Sequence, residues 1–124
     1  MNCPRIEIKF IDPKNQRFGE AGDWFYDAED DRMTVFVNRM SDWRSELAVA
    51  IHELCESIAC LAADIDQTDV DAFDKRFHED LHDGEAGDNP DAPYHKQHVG
   101  ATAVERLTCS ELGINWEQHE KNCE

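Results

Sequence analysis

The sequence has little positive charge, and this shortage limits the partners that the protein can bind. Its 124 residues include 12 Lys and Arg against 28 Asp and Glu, which gives a formal net charge of −16. Such an excess of negative charge repels nucleic-acid phosphates and anionic membrane surfaces. We therefore expect no direct binding of nucleic acid and no association with a membrane.

Long apolar runs and paired cysteine motifs are missing as well. No window approaches the roughly 18 uninterrupted apolar residues that a membrane helix needs, and the first residues lack the apolar core of a signal peptide. The 5 cysteines are odd in number and include no CxxC, so they suggest neither a disulfide framework nor a cysteine-rich zinc knuckle. These absences predict a cytoplasmic protein whose thiols are reduced.

What is present suffices for one folded domain of the α+β class. Hydrophobic residues make up 40% of the chain, and a chain of this length can close a single core. Alternating apolar residues predict a small antiparallel sheet of about three strands, and apolar residues at helical spacing predict about three helices packed on it. We expect Ser41 or Asp42 to cap the first helix, Thr68 the second, and Gly113 to end the third. The expected single domain, 1–124, has strands within about 5–40, helices at about 43–63, 68–82 and 94–112, and an acidic loop at 83–93.

The most specific motif is His-Glu-Leu-Cys-Glu at residues 52–56, in a helix that is otherwise apolar nearly all round and is therefore expected to be buried. His52 and Glu56 are four residues apart and lie on one helical face, where they can share a metal ion. Glu53 points toward the open coordination position, where a water would lie. Burying these groups without partners or a metal would cost several kcal/mol, so the motif predicts a functional metal site.

The third metal ligand is left open among side chains of the third helix. His98 is preferred because it lies deeper in that helix than His95, which is one turn away. Glu105 is the alternative, either as a ligand or as the acceptor that orients a ligating histidine. Two helical turns, about 10 Å, separate His98 from Glu105, so one ion is not expected to bind both. His119, near the C-terminal end, is expected to be exposed.

A strand at residues 33–38, a short connection and the helix that carries His52, Glu53 and Glu56 resemble the core of zincin metallopeptidases. The resemblance implies that His52 and Glu56 are metal ligands and that Glu53 is the general base. It also implies that an edge strand beside the helix can bind an extended peptide. The fuller pattern, with residues 93–95 and 101–107, looks like a group of short proteins encoded by bacteriophages and prophages, which would place the protein in the host cytoplasm.

These observations lead to one main hypothesis and two alternatives. The main one is a metal-dependent, peptidase-like hydrolase in which Glu53 activates a metal-bound water and the substrate is a peptide or protein. Zinc is the expected metal, although manganese, iron or a pair of ions would also suit these ligands. The first alternative is a non-catalytic acidic phage protein that imitates nucleic acid and binds a basic host partner. The second is a domain whose metal site is purely structural.

Overall fold

The computed structural model describes residues 2–80 and 84–124, and it has the α+β fold that the sequence predicts. Single turns of 3-10 helix at Pro13–Asn15 and Ala86–Asp88 interrupt two of the connections. No helix in the described part of the chain is long and apolar enough to cross a membrane. The regular elements are β1 (Arg5–Ile11), β2 (Gly22–Asp27), β3 (Arg32–Asn38), α1 (Trp43–Ala62), α2 (Gln67–Glu79), α3 (His95–Leu112) and α4 (Trp116–Asn122).

The sheet is mixed, which corrects the prediction that it is antiparallel throughout. Its order is β1-β3-β2, with β3 in the centre. β2 runs antiparallel to β3, whereas β1 runs parallel to it. Alternation of apolar residues identifies a strand but not its neighbour, because side chains alternate between the two faces in either pairing.

The core lies between one face of this sheet and α1. Val35 and Val37 of β3 are fully buried there and pack with Trp24 of β2 and Ala50 of α1. The prediction that the motif helix is buried all round is wrong, because its outer face stays exposed. The large hydrophobic residues on that face with more than a third of their surface exposed are Trp43, Leu47, Ile51 and Ile58.

The ends of the helices follow local side-chain chemistry. The carboxylate of Asp42 accepts a hydrogen bond from the backbone N–H of Arg44 and caps α1. Asp66 caps α2 in the same way, so the prediction that Thr68 is the cap is wrong by two positions. Gly113 ends α3 in the left-handed conformation, with φ of 75°, as the sequence predicts.

The C-terminal segment differs from the prediction, since it forms a fourth helix. Asn115 caps α4, and the side chain of His119 is 1% exposed rather than open to solvent. The sequence of α4 is nearly all polar, so periodicity gives no sign that one side is buried. Residues 81–83, where the sequence predicts the junction of the second helix and the acidic loop, lie outside the described residues.

Candidate metal centre

Three of the predicted site residues lie together between α1 and α3. His52 and Glu56 are one turn apart on α1, and His98 faces them from the first turn of α3. The Oε2 atom of Glu56 is 3.1 Å from His52 Nε2 and 2.8 Å from His98 Nδ1. All three residues are buried, with exposed fractions of 3%, 5% and 3% for His52, Glu56 and His98. These residues could hold a metal ion.

The two distances from Glu56 Oε2 to the imidazole nitrogens are close to those of a tetrahedral site. Oxygen and nitrogen ligands about 2.0–2.1 Å from a metal ion are about 3.3 Å from one another in a tetrahedron. The measured separations of 3.1 and 2.8 Å around Glu56 Oε2 are only slightly shorter. Outward shifts of a few tenths of an ångström would therefore make room for a cation.

Both imidazole rings lie between carboxylates, which explains why a cation suits the site. His52 Nδ1 is 2.8 Å from Glu105 Oε1, close enough for an ion pair although not aligned as a hydrogen bond. His98 Nε2 is 2.9 Å from Asp88 Oδ1 and 3.2 Å from Glu85 Oε2. A neutral imidazole has one N–H and one lone pair, so one nitrogen of each ring would face a carboxylate with its lone pair. A second proton or a metal ion relieves that repulsion.

In the absence of a metal, protons fill this role. Although burial disfavours the charged ring, the close contacts with Glu105 and Glu56 raise the pKa of His52 to about 12. Burial is likewise outweighed at His98, where contacts with Glu56 and Glu85 raise the pKa to about 10. The two histidines in turn lower the pKa of Glu56 to about 2 against the effect of its burial. A metal replaces these protons and leaves each ring donating its other N–H to a carboxylate, as ligating histidines do.

Trp24 holds Glu56 in position from the sheet. Its indole Nε1–H donates a hydrogen bond of 2.9 Å to Glu56 Oε1, which leaves Oε2 facing the two imidazoles. The Trp24 side chain is itself buried, with 4% of its surface exposed. Sequence reasoning missed this contact, because it joins positions that are 32 residues apart.

Glu53 borders a small cavity beside the ligands. The cavity has a volume of about 20 Å³, enough for about one water molecule, and Glu53, Glu56 and His98 are among its lining residues. Gly22 makes the close fit possible, because a Cβ atom there would lie 2.7 Å from Glu53 Cγ. Burial and the neighbouring Glu56 raise the pKa of Glu53 well above its usual range.

Further acidic residues line the cavity. Burial and the nearby Glu85 raise the pKa of Glu20 to about 9, and burial raises that of Asp74 to about 7. The hydroxyl group of Tyr94 donates a short hydrogen bond to Asp74. This concentration of carboxyl groups favours a bound cation, because the positive charge offsets the mutual repulsion of the carboxylates.

The other two predicted ligands lie elsewhere. His95 Nδ1 is 2.9 Å from the carbonyl oxygen of Gly87, so this ring contacts the turn at Ala86–Asp88 and does not face His52. Glu105 lies behind His52, in the place of an orienting acceptor, and also contacts His119. Sequence reasoning missed the contacts of Glu85 and Asp88 with His98. Both residues lie in the acidic loop, and only the fold brings that loop to His98.

The edge of the sheet beside the centre is partly occupied. β2 is an edge strand, and its backbone N–H groups at Trp24 and Tyr26 already have acceptors. They bond to Asp23 Oδ1 at 2.9 Å and to Gln67 Oε1 at 2.8 Å. An extended peptide that pairs with β2, as the zincin resemblance implies, would have to displace these side chains.

Comparison with protein-family models, curated proteins and solved structures gives no match for this chain. The resemblance to zincins and to phage proteins therefore stays a prediction. Among the residues that the structure describes, three groups of histidine, acidic and cysteine side chains could bind a metal ion.

Gly87 provides a test of the centre that leaves every ligand in place. A Cβ atom at this position would lie 2.5 Å from both Cγ and Nδ1 of His98, closer than real contacts allow. We expect Gly87→Ala to displace the ring and to weaken zinc binding about 10–100-fold, as the loss of an orienting partner does. Competition with a chromophoric chelator measures this affinity.

Gly100 is the matched control for that substitution. A Cβ atom there meets nothing within 4 Å, and the residue lies in the interior of α3. Gly100→Ala is expected to leave the zinc affinity unchanged and to stabilise the protein by about 0.5–1 kcal/mol. Equal zinc affinities for the two variants would show that His98 is not a ligand.

Proposed function

We propose that this protein is a zinc-dependent hydrolase of the peptidase type, with His52, Glu56 and His98 as metal ligands and Glu53 as the general base. The observation that supports it is the cavity of about 20 Å³, because Glu53 lines it together with the ligands Glu56 and His98. A general base has to lie within reach of the water that it deprotonates. The cavity has room for about one water, and its lining includes both the proposed base and two of the proposed ligands, so it meets that requirement.

Different residues of the chain have different roles in the proposed hydrolysis. When bound, zinc supplies the Lewis acidity that polarises a carbonyl group and makes water more acidic. The carboxylate of Glu53 accepts a proton from the attacking water and later donates it to the leaving amine. Burial and the neighbouring Glu56 raise the pKa of Glu53, which favours its acceptance of a proton from the water. Trp24 keeps Glu56 oriented, and Glu105 and Asp88 orient the two imidazoles.

Zinc is the metal that we propose, because two imidazoles and one carboxylate form a three-ligand set with a fourth position free. The substrate class that we propose is a peptide or protein. The side chains of Asp23 and Gln67 accept hydrogen bonds from the backbone of β2. A peptide would therefore pair with this strand after those side chains move aside.

Replacement of Glu53 tests the catalytic proposal directly. We expect Glu53→Gln to keep its zinc and to hydrolyse peptides about 10²–10⁴ times more slowly than the wild type, which is the usual contribution of a general base. Cleavage of a mixed peptide library is measured by mass spectrometry with zinc-loaded protein. The control is Glu111→Gln, which removes the charge of an exposed glutamate on α3 and is expected to leave the rate unchanged.

The burial of all three ligands favours one alternative, a purely structural zinc site. Exposed fractions of 3% to 5% are typical of closed metal sites as well as of catalytic sites beneath a cover. Zinc-dependent folding without cleavage of any peptide in the library would support this alternative. A Glu53→Gln variant that cleaves as fast as the wild type would exclude Glu53 as the base.

A further inference from the structure

A second group of potential metal ligands lies on the other side of Glu105. It consists of Glu105 on α3, His119 on α4 and Cys123 just after α4, and one ligand atom from each lies within 4.8 Å of the others. His119 Nε2 is 2.5 Å from Glu105 Oε2 and 3.7 Å from Cys123 Sγ. His119 is nearly fully buried, although α4 is a short polar helix.

The orientation of His119 suits a metal ligand. Its Nδ1 atom lies 3.0 Å from Ser45 Oγ, and Asn122 donates a hydrogen bond of 3.0 Å to the same oxygen. When Ser45 accepts the Nδ1–H, the lone pair of His119 lies on Nε2, toward Glu105 and Cys123. Hydrogen bonding of the other ring nitrogen is what fixes a ligating histidine in place.

The distance between Cys123 and His119 agrees with a tetrahedral site that includes sulfur. With metal–sulfur and metal–nitrogen bonds of about 2.3 and 2.05 Å, the two ligand atoms are about 3.6 Å apart. The separation of Cys123 Sγ and His119 Nε2 is 3.7 Å. Glu105 Oε2 is 2.5 Å from His119 Nε2, so these two atoms would have to separate when an ion binds between them.

Solvent reaches this group through a surface groove. Glu105, His119 and Cys123 line the groove, which has a volume of about 530 Å³, together with Thr102, Arg106 and Trp116. An ion held by the three side chains would therefore keep a coordination position open to water or to a ligand in the groove.

We propose that Glu105, His119 and Cys123 form a second metal site, which takes a zinc-type divalent ion through one carboxylate, one imidazole and one thiolate. Sulfur and nitrogen ligands select such an ion over magnesium or calcium. The site does not depend on the function proposed for the first centre. Glu105 links the two, because its Oε1 atom lies 2.8 Å from His52 Nδ1 while Oε2 faces His119.

Cobalt(II) distinguishes the two sites, because only the second contains sulfur. We expect cobalt added to the full-length, metal-free protein to give a sulfur-to-cobalt charge-transfer band in the near ultraviolet. The band should be absent in Cys123→Ser and should persist in the double variant His52→Ala with Glu56→Ala. Its persistence there separates this proposal from the one for the first centre. Zinc should abolish the band as it replaces cobalt.

Cys55→Ser is the matched control, since Cys55 is a half-buried thiol inside the first motif and outside the second group. It is expected to keep the band at full intensity. Circular dichroism establishes that each variant is folded, and Cys123→Ala provides a second removal of the thiol. A folded wild-type protein that takes up cobalt without the band, or a band that survives in both Cys123 variants, would overturn the proposal.

Discussion

Zinc at about 1,000 times its dissociation constant is expected to stabilise the protein by about 4 kcal/mol through the His52–Glu56–His98 site, because an ion that binds only the folded state shifts the equilibrium by mass action. For a chain of this length, that corresponds to a rise in Tm of roughly 10–20 °C. The Cys123→Ser background isolates this contribution, since it removes the thiol of the second group. Differential scanning calorimetry of the metal-free and zinc-loaded protein measures the shift.

Two double variants, each with one histidine and one glutamate replaced by alanine, complete that experiment. His52→Ala with Glu56→Ala removes two ligands and is expected to abolish the rise in Tm. His95→Ala with Glu111→Ala removes one histidine and one glutamate from α3 outside the centre and is expected to keep it. If zinc stabilised both variants equally, the ion would not bind at the residues proposed.

Removal of His98 is expected to have the second large effect. The ring contacts Glu56, Asp88 and Glu85, so His98→Ala leaves a buried carboxylate with one partner fewer. Breaking such a buried ion pair costs about 3–5 kcal/mol of stability. Because one of three ligands is lost, zinc affinity should fall by more than about 100-fold, the upper range for an orienting partner alone. Urea unfolding and zinc titration measure the two effects.

His95→Ala makes that test specific. His95 lies three residues before His98 in the same helical turn, but among the described residues its imidazole ring has one hydrogen-bond partner, the Gly87 carbonyl. Loss of this one bond is expected to cost about 0.5–1.5 kcal/mol and to change zinc affinity less than tenfold. The opposite ranking of the two variants would make His95 the third ligand.

The local elements of the fold could be predicted from the sequence because their signals are local. A helix was expected at about 43–63, and α1 spans Trp43–Ala62 with Asp42 as its cap. Gly113 was expected to end α3, and it does so with a positive φ. The α4 helix was missed, since seven mostly polar residues show no apolar periodicity, although one of its histidines is buried.

Pairing between strands required the tertiary structure. The alternating residues of β1 and β3 indicate strands, but they do not show that the two lie side by side and parallel. The exposure of the outer face of α1 also required the tertiary structure. It is apolar in sequence, yet Trp43 and Ile51 remain exposed within the described part of the chain. The sequence shows which residues of a helix are apolar, whereas the tertiary structure shows which of them other elements cover.

For the candidate centre, the sequence by itself determined the pair on α1. His52 and Glu56 share a face because helical geometry fixes the positions of residues four apart. Only the tertiary structure decided which of His95, His98 and Glu105 lies beside Glu56, because the packing of α3 against α1 sets which side chain faces it. It alone brought Trp24 to Glu56 and Glu105 to His119. Such contacts arise from the packing of separate elements against one another, which the local spacing of residues in the sequence does not specify.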